Sequence, residues 1–269
     1  MRDLLYGIRT INIAITLFIA MILAIEVGHY IGRTVKDRPG APPKEHVSGI
    51  QAALLGMLAL LMGFTLSLSL QRFDSRSGYM VEEANAIGTA YLRTQFLPLS
   101  VREDARRLFR KYTELRVQVG DLAMVDDAHR SNILREANAK QDELWALLKK
   151  AVEEDANPVR TGLFVQAFND AIDASGRREE AMNRHIPDIV LLLLFGTFLM
   201  VGLIVGYSSG IGGYRAFFAT YVMLGLIVVL VFIIIDVDRP RRGLVEVKQT
   251  SMIDLLASMK PVIQPGSDP

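Results

Sequence analysis

Cysteine is absent from the 269 residues of this chain, and three kinds of chemistry are excluded with it. A disulfide framework, a cysteine-based zinc site and thiol catalysis all need the missing side chain. The four histidines lie on separate segments, so they do not predict a metal site or a catalytic base. The formal net charge is only +1, which gives no electrostatic basis for binding nucleic acid.

The motifs of the common enzyme classes are missing as well. The chain contains no P-loop, no glycine-rich dinucleotide fingerprint, no HExxH zinc motif and no GxSxG nucleophile elbow. No broken helix or inverted repeat of the kind found in many transporters is visible. We therefore predict no catalytic residue, no metal site and no cofactor, and we do not expect an enzyme.

The charged residues of the chain are concentrated in one segment. Of its 30 basic and 29 acidic side chains, 18 and 19 fall within residues 71–185. Four other stretches are long and apolar enough to cross a bilayer, which needs about 20 helical residues. They are Thr10–Gly32, Ile50–Leu70, Ile189–Tyr207 and Ala216–Ile235. This pattern predicts four transmembrane helices and one water-exposed insert.

Basic residues near the span ends predict the orientation, because they favour the cytoplasmic side. Four spans place both termini and the insert on one side, which carries eleven basic residues against five on the other. The eleven are Arg2, Arg9, Arg72, Arg76, Arg177, Arg178, Arg184, Arg239, Arg241, Arg242 and Lys248. The five are Arg33, Lys36, Arg38, Lys44 and Arg215. We therefore expect both termini and the insert in the cytoplasm.

Apolar residues in the insert repeat at helical spacing and predict four antiparallel helices. The clearest stripe runs from Val101 to Leu122 in steps of three and four. Breaks are expected at Leu97-Pro98, Asp126-Asp127 and Asn157-Pro158. Ser100 is predicted to cap the N-terminus of the helix that follows the first break.

The sequence thus predicts an all-α membrane protein with a helical-bundle cytoplasmic insert between the second and third transmembrane helices. Residues 1–70 hold the first two spans and a short periplasmic loop, and residues 71–185 form the cytoplasmic helical domain. Residues 186–236 hold the third and fourth spans. Residues 237–269 form a cytoplasmic amphipathic segment and tail.

The second span carries its small residues on one helical face. At steps of four and three these are Ala52, Gly56, Ala59, Gly63 and Ser67. Small residues let helices approach closely, and Gly202 and Gly206 repeat the spacing in the third span. The face of the second span either packs against a neighbouring helix or lines a pore around an oligomer axis. In a pore, the hydroxyls of Thr65, Ser67 and Ser69 would supply partners for ions.

Two polar segments, residues 71–73 with 81–90 and residues 236–243, flank the predicted cytoplasmic membrane surface. Arginines alternate with acids in the second segment, which favours specific ion pairs, with Glu82 and Glu83 as partners. The alternative is that the arginines only anchor the spans. The predicted charge network consists of Arg72, Glu82, Glu83, Asn85, Asp236, Asp238, Arg239, Arg241 and Arg242.

Four sequence blocks give the chain a family resemblance: GFTLSLSLQRFDSR, VEEANAIGTAYLR, NDAID and DVDRPRRGLVEVKQ. They resemble a bacterial bestrophin-like family of membrane proteins, over about Gly49 to Ser251. The architecture is distantly similar to true bestrophins, which are pentameric anion channels whose second span lines the pore. Animal members carry an acidic calcium clasp after the fourth span. Here arginines accompany Asp236 and Asp238, so no clasp is expected.

The resemblance implies an oligomeric ion channel of the bacterial inner membrane that favours anions over cations. Glu82 and Glu83 at the cytoplasmic mouth of the pore would instead favour cations. The arginines that would favour anions at this mouth are Arg72, Arg76, Arg239, Arg241 and Arg242. The partners of the channel would be the lipid bilayer, further copies of the chain in a homo-oligomer (a pentamer by resemblance) and inorganic ions. The alternative hypothesis is a non-conducting membrane scaffold or sensor whose cytoplasmic helices bind a partner.

Overall fold

The computed structural model describes residues 9–39, 43–121, 127–215, 218–239 and 245–259. Within these ranges the chain forms α-helices and one short 3-10 turn, without a β-strand. The helices are α1 (Thr10–Val35), α2 (Lys44–Arg93), α3 (Leu99–Asp121), α4 (Asp127–Glu154), α5 (Thr161–Asn183), α6 (Asp188–Gly212), α7 (Phe218–Asp238) and α8 (Thr250–Ser258). The prediction of an all-α protein is therefore confirmed.

Helices α1, α2, α6 and α7 are long and apolar enough to cross a membrane, and they coincide with the four predicted spans. Helix α2 is much longer than its predicted span, because it has 50 residues and ends only at Arg93. No proline interrupts the sequence between Lys44 and Arg93, so nothing breaks its backbone hydrogen bonds. The chain is thus a membrane protein with four long apolar helices.

The described residues divide into two compact units. One, here called the membrane unit, comprises Met1–Phe73 and His185–Glu246. The other, here called the bundle unit, comprises Asp74–Arg184 and Val247–Pro269. Helix α2 contributes residues to both units, because the division falls between Phe73 and Asp74.

In the membrane unit, α1 and α6 pack backbone against backbone. A Cβ atom on Gly28 would overlap the carbonyl oxygen of Leu203, and one on Gly206 would overlap that of Ile25. Only glycine fits at such a close helix crossing. Gly206 of the third span therefore serves helix packing inside the chain.

The apolar core of the membrane unit draws side chains from all four spans. Its buried members include Ile13, Leu17, Met21, Ile25, Leu58, Met62, Leu194, Phe198, Val201, Leu224, Val231 and Ile235. Helix α2 contributes Leu58 and Met62 to this core. The face of α2 that carries these two side chains is consequently its packed face.

In the bundle unit, helices end close to the predicted breaks. Helix α2 gives way to the 3-10 turn after Arg93, and α4 begins at Asp127. Before α5, the side-chain oxygen of Asn157 accepts hydrogen bonds from the backbone N–H groups of Val159 and Arg160. Such a side-chain turn is what asparagine before proline favours.

The prediction that Ser100 caps a helix is wrong. Helix α3 begins one residue earlier, and the carbonyl oxygen of Pro98 accepts the backbone N–H groups of Val101 and Arg102. Ser100 is therefore already inside the helix, where its hydroxyl donates to the Glu154 carboxylate. The proline carbonyl, rather than a serine side chain, starts this helix.

Aromatic rings fill the centre of the bundle unit. Phe109 of α3 meets Phe164 and Phe168 of α5 edge to face, with ring centroids 6.0 Å and 5.6 Å apart. All three rings are buried, and edge-to-face pairs add stability beyond the burial of their area.

The amphipathic C-terminal segment packs on the bundle unit. Met252 and Met259 are fully buried in the bundle core, and the backbone carbonyl of Met259 accepts a hydrogen bond from Arg110. The side-chain amide of Gln249 donates to the carbonyl oxygen of Val117 at 3.4 Å. Helix α8 therefore buries its apolar face against helices of this unit.

Candidate functional site

The small face of α2 is exposed. All five of its predicted members lie at the surface of the described chain: Ala52, Gly56, Ala59, Gly63 and Ser67. By contrast, Leu58 and Met62 are buried. Since both sets lie on one helix, the packed face and the small face are distinct, and the small face takes no part in the core of the membrane unit.

The glycines of this face have free space around them. Among the described residues, no atom outside the local helix lies within 4 Å of a Cβ built on Gly56 or Gly63. A third open position on α2 is Gly49. Close packing within the chain therefore does not explain why glycine stands at these positions.

The hydroxyl groups of α2 divide between the two faces. Thr65 and Ser69 are buried, and their hydroxyls donate to the carbonyl oxygens of Leu61 and Thr65 at 2.7 Å and 3.0 Å. Ser67 is exposed with the small residues. The sequence analysis expected all three hydroxyls to meet ions. Those of Thr65 and Ser69 instead donate to carbonyl groups of α2 on its buried side, and of the three only Ser67 lies on the small face.

One group of charges lies where the spans of the membrane unit end. Asp238, the last residue of α7, is fully buried, and one of its carboxylate oxygens accepts a bond from Arg72 Nη1 at 3.1 Å. Its other oxygen accepts the backbone N–H of Ile186 at 2.9 Å. A carboxylate without access to water needs such partners, because an uncompensated buried charge is strongly destabilising.

Asp236 and Arg239 lie beside this pair and are also buried. Asp236 accepts the backbone N–H of Val245 at 3.2 Å, and Arg239 donates from Nη1 to the Thr10 hydroxyl at 3.0 Å. Arg241 and Arg242, the remaining arginines of the predicted network, lie outside the described residues.

A second group of charges lies inside the bundle unit around Glu83. This carboxylate is fully buried, and its two oxygens accept bonds from Arg116 Nε and Arg178 Nη1, both at 2.6 Å. Arg178 also donates to the side-chain oxygen of Gln249 at 3.2 Å. Glu83 therefore joins α2 to α3 and α5, with Gln249 of the C-terminal segment bonded to the same arginine.

Burial and charge act in opposite directions on Arg116. Burial, the largest single effect, would lower the pKa of its guanidinium, but Glu83 together with Tyr112 and Glu179 outweighs it, and the pKa lies above its usual value. The Arg116 guanidinium is consequently charged at any physiological pH.

Glu82 and Asn85 lie on the exposed side of the same helix. Glu82 pairs with Arg177 at 2.6 Å, and the two side chains are 46% and 44% exposed. Consecutive helical residues point about 100° apart, so Glu83 faces the bundle core while its neighbour faces water. Among the described residues, the partners of Glu82 and Glu83 are arginines of α3 and α5. Arg241 and Arg242, which the sequence analysis considered as partners, lie outside the described residues.

Arg76, counted among the basic residues of the membrane surface, is also buried. Its guanidinium donates to the carbonyl oxygens of Ala181 and Arg184 at 3.3 Å and 2.8 Å, where α5 ends. The last carbonyl groups of a helix lack partners within the helix. Arg76 therefore caps the C-terminus of α5.

Sequence analysis missed Arg116 and Tyr112. The Tyr112 phenol is buried, lies one turn from Arg116 and accepts a hydrogen bond from Gln141 at 2.9 Å. Burial raises the pKa of Tyr112, and the charge of Arg116 offsets this only in part. The sequence did contain a signal for these residues. Arg116 follows Tyr112 by four residues and so lies on the same apolar face of α3. A charge on such a face needs a buried partner.

Comparison with known proteins identifies the family. A family model described as a bestrophin-like domain matches residues 18–252. No curated protein matches the chain.

Solved structures share the fold at low sequence identity. Two are crystal structures of single-residue variants of a bacterial bestrophin homologue from Klebsiella pneumoniae. The first has a TM-score of 0.61 and 12% identity over 90% of this chain and 100% of the other. The second has the same score and identity over 91% and 99%. A variant described as a membrane protein gives 0.59 and 13% over 91% and 99%. Because the family model spans most of its length, this chain belongs to the bestrophin-like family.

Proposed function

We propose that the protein is an oligomeric ion channel of the membrane and that the small face of α2 lines its pore. The observation that carries this proposal is the exposure of the small face together with the open space at Gly56 and Gly63. Small residues that are not needed for packing leave room for a water-filled path. The exposed hydroxyl of Ser67 supplies a polar group on the same face.

Four spans in one chain cannot enclose such a path alone, so the pore requires several copies around an axis. Closed rotational symmetry is the usual arrangement of identical subunits. We propose a homo-oligomer, with five subunits by the family resemblance, in which each α2 turns its small face to the axis.

Anions are the proposed conducted ions, again by the resemblance. Of the described arginines first considered for the pore mouth, Arg76 and Arg239 are buried and donate to groups within their own units. Arg72 keeps 27% of its side chain exposed while it pairs with Asp238. Reversal potentials measured in a salt gradient test the selectivity for anions. A reversal potential near the equilibrium potential of the cation would show a cation channel instead.

Planar bilayers and a cysteine scan test the pore directly. Thiol reagents that dissolve in water should label cysteines placed at Gly56 or Gly63 and spare one at Leu58, since the native chain has no thiol of its own. Gly63→Leu should abolish unitary currents while the oligomer persists. Gly196→Leu is the matched control, because it fills an equally open glycine position on α6. Labelling restricted to Leu58 would exclude α2 as the conduit.

We further propose that the protein resides in the bacterial inner membrane with both termini in the cytoplasm. In this orientation residues 1–70 and 186–236 each hold two spans. Residues 71–185 and 237–269 lie in the cytoplasm, as the sequence analysis expects. An alkaline phosphatase fusion near Gly40 should be active, whereas fusions near Asp126 or after Pro269 should be inactive. Activity at Asp126 would reverse the orientation.

A non-conducting scaffold is the second candidate, and one feature of the bundle unit favours it. Leu92, Leu99 and Val159 are 66%, 80% and 69% exposed. A contiguous patch built from such side chains would bind other proteins or further subunits. Purified oligomer that stays silent in bilayers across salts and pH would favour this candidate over the channel.

A further inference from the structure

The carboxylate of Asp238 joins three segments of the membrane unit. Asp238 ends α7, Arg72 belongs to α2, and Ile186 precedes α6. Ile186 is also buried in an apolar cluster with Leu191 and Ile234. The contacts of one side chain therefore fix where the ends of three spans lie relative to one another.

Arg72 supplies a positive charge to this junction. Asp238 has no exposed surface, so its charge is compensated by neighbouring groups rather than by water. The guanidinium of Arg72 is partly open to solvent, which reduces the cost of burying its own charge. The arginine thus acts as a fixed counter-ion that belongs to the chain.

This end of α7 is also where animal bestrophins carry an acidic calcium clasp, and the residues here do not fit calcium. Calcium requires six to eight oxygen ligands at about 2.3–2.6 Å. Both oxygens of Asp238 already accept bonds from nitrogen donors, and Asp236 accepts one from Val245. In the described part of the chain, no group of three or more His, Asp or Glu side chains could hold a metal ion.

We propose that Arg72 is a positioning residue that holds α2 against the end of α7 through Asp238, in place of a metal ion. The inference rests on the proposed function, in which α2 lines the pore. Since Arg72 lies five residues beyond Ser67 on α2, loss of the Arg72–Asp238 bond should alter how often the pore opens. The size of each unitary current should stay unchanged, because Arg72 lies on the packed side of the helix with Asp238.

Melting temperatures of the purified oligomer test the junction without requiring conduction. Arg72→Gln and Asp238→Asn should each lower the melting temperature, and the double variant should lower it by less than the sum of the two shifts. Arg72→Lys should recover part of the loss. Arg33→Gln, which changes an exposed arginine of α1, is the control and should leave the melting temperature unchanged. Additive shifts of the two single variants would overturn the pairing.

Calcium provides the second arm of the test. Millimolar calcium and a chelator should give the wild-type protein the same melting temperature. A calcium-dependent rise that Asp238→Asn removes would overturn the proposal. In bilayers, Arg72→Gln should change open probability and Arg72→Lys should restore it, at constant unitary current. If the protein does not conduct, the proposed function fails, while the melting data still decide whether Arg72 or calcium holds the junction.

Discussion

Helices α6 and α2 both carry glycines at the spacing that allows helices to approach, and the chain uses them differently. Gly206 lies where the backbone of α1 leaves no room for a Cβ atom, whereas Gly63 has open space around the same position. Spacing alone therefore does not reveal whether a small face is covered by the chain itself. An uncovered face is free for another role, which in our proposal is the pore.

The adjacent glutamates Glu82 and Glu83 allow the same comparison between a covered and an exposed position. Substitution of the covered glutamate should cause the largest loss of stability. Glu83→Gln removes a carboxylate buried between two arginines, while Glu82→Gln removes one that is half exposed. Breaking a buried pair typically costs about 3–5 kcal/mol. An exposed pair contributes about 0–1 kcal/mol.

Chemical or thermal unfolding of the two variants checks this prediction. Both substitutions preserve size and remove one negative charge at neighbouring positions, so the pair is its own control. Equal stabilities would mean that Glu83 is hydrated or exchanges partners in solution, and the buried junction of α2, α3 and α5 would have to be abandoned.

A smaller loss of stability is expected when leucine replaces the covered glycine of α6. Leucine at Gly206 must push α1 away from α6, and overpacking of this kind typically costs about 1–3 kcal/mol. Leucine at Gly56 enters open space and should leave the stability of the single chain almost unchanged. Yield and melting temperature in detergent measure both, and a loss at Gly56 that matches the loss at Gly206 would show that the small face is covered after all.

The sequence predicted the elements of the fold well, because length and apolarity mark a membrane-spanning helix without any knowledge of its neighbours. The four spans and the break at Asn157-Pro158 follow from such local signals. Local reasoning failed at Ser100, because the carbonyl of Pro98 had already begun the helix.

Partner choice in the candidate site could not be predicted in the same way. Glu83 binds arginines 33 and 95 residues away in the sequence, and no local pattern encodes that distance. The partner of Arg72 is 166 residues away. Periodicity shows that Glu82 and Glu83 face different directions, but only the fold determines which of them the bundle covers.

The smallest expected change in stability concerns Tyr112, a buried side chain that ionises only at alkaline pH. Burial raises the pKa of Tyr112 above the ordinary value of 10.0, so the folded protein favours the neutral phenol more strongly than the unfolded chain does. Its contribution to stability is therefore complete below about pH 10 and decreases as pH rises towards the folded pKa. Tyr112→Phe, which cannot ionise, should lack this decrease. Unfolding at about pH 9 and about pH 11 measures the difference, because the other tyrosines are common to both proteins. A stability difference between wild type and Tyr112→Phe that stays constant over this interval would mean that water reaches the phenol in the bundle unit.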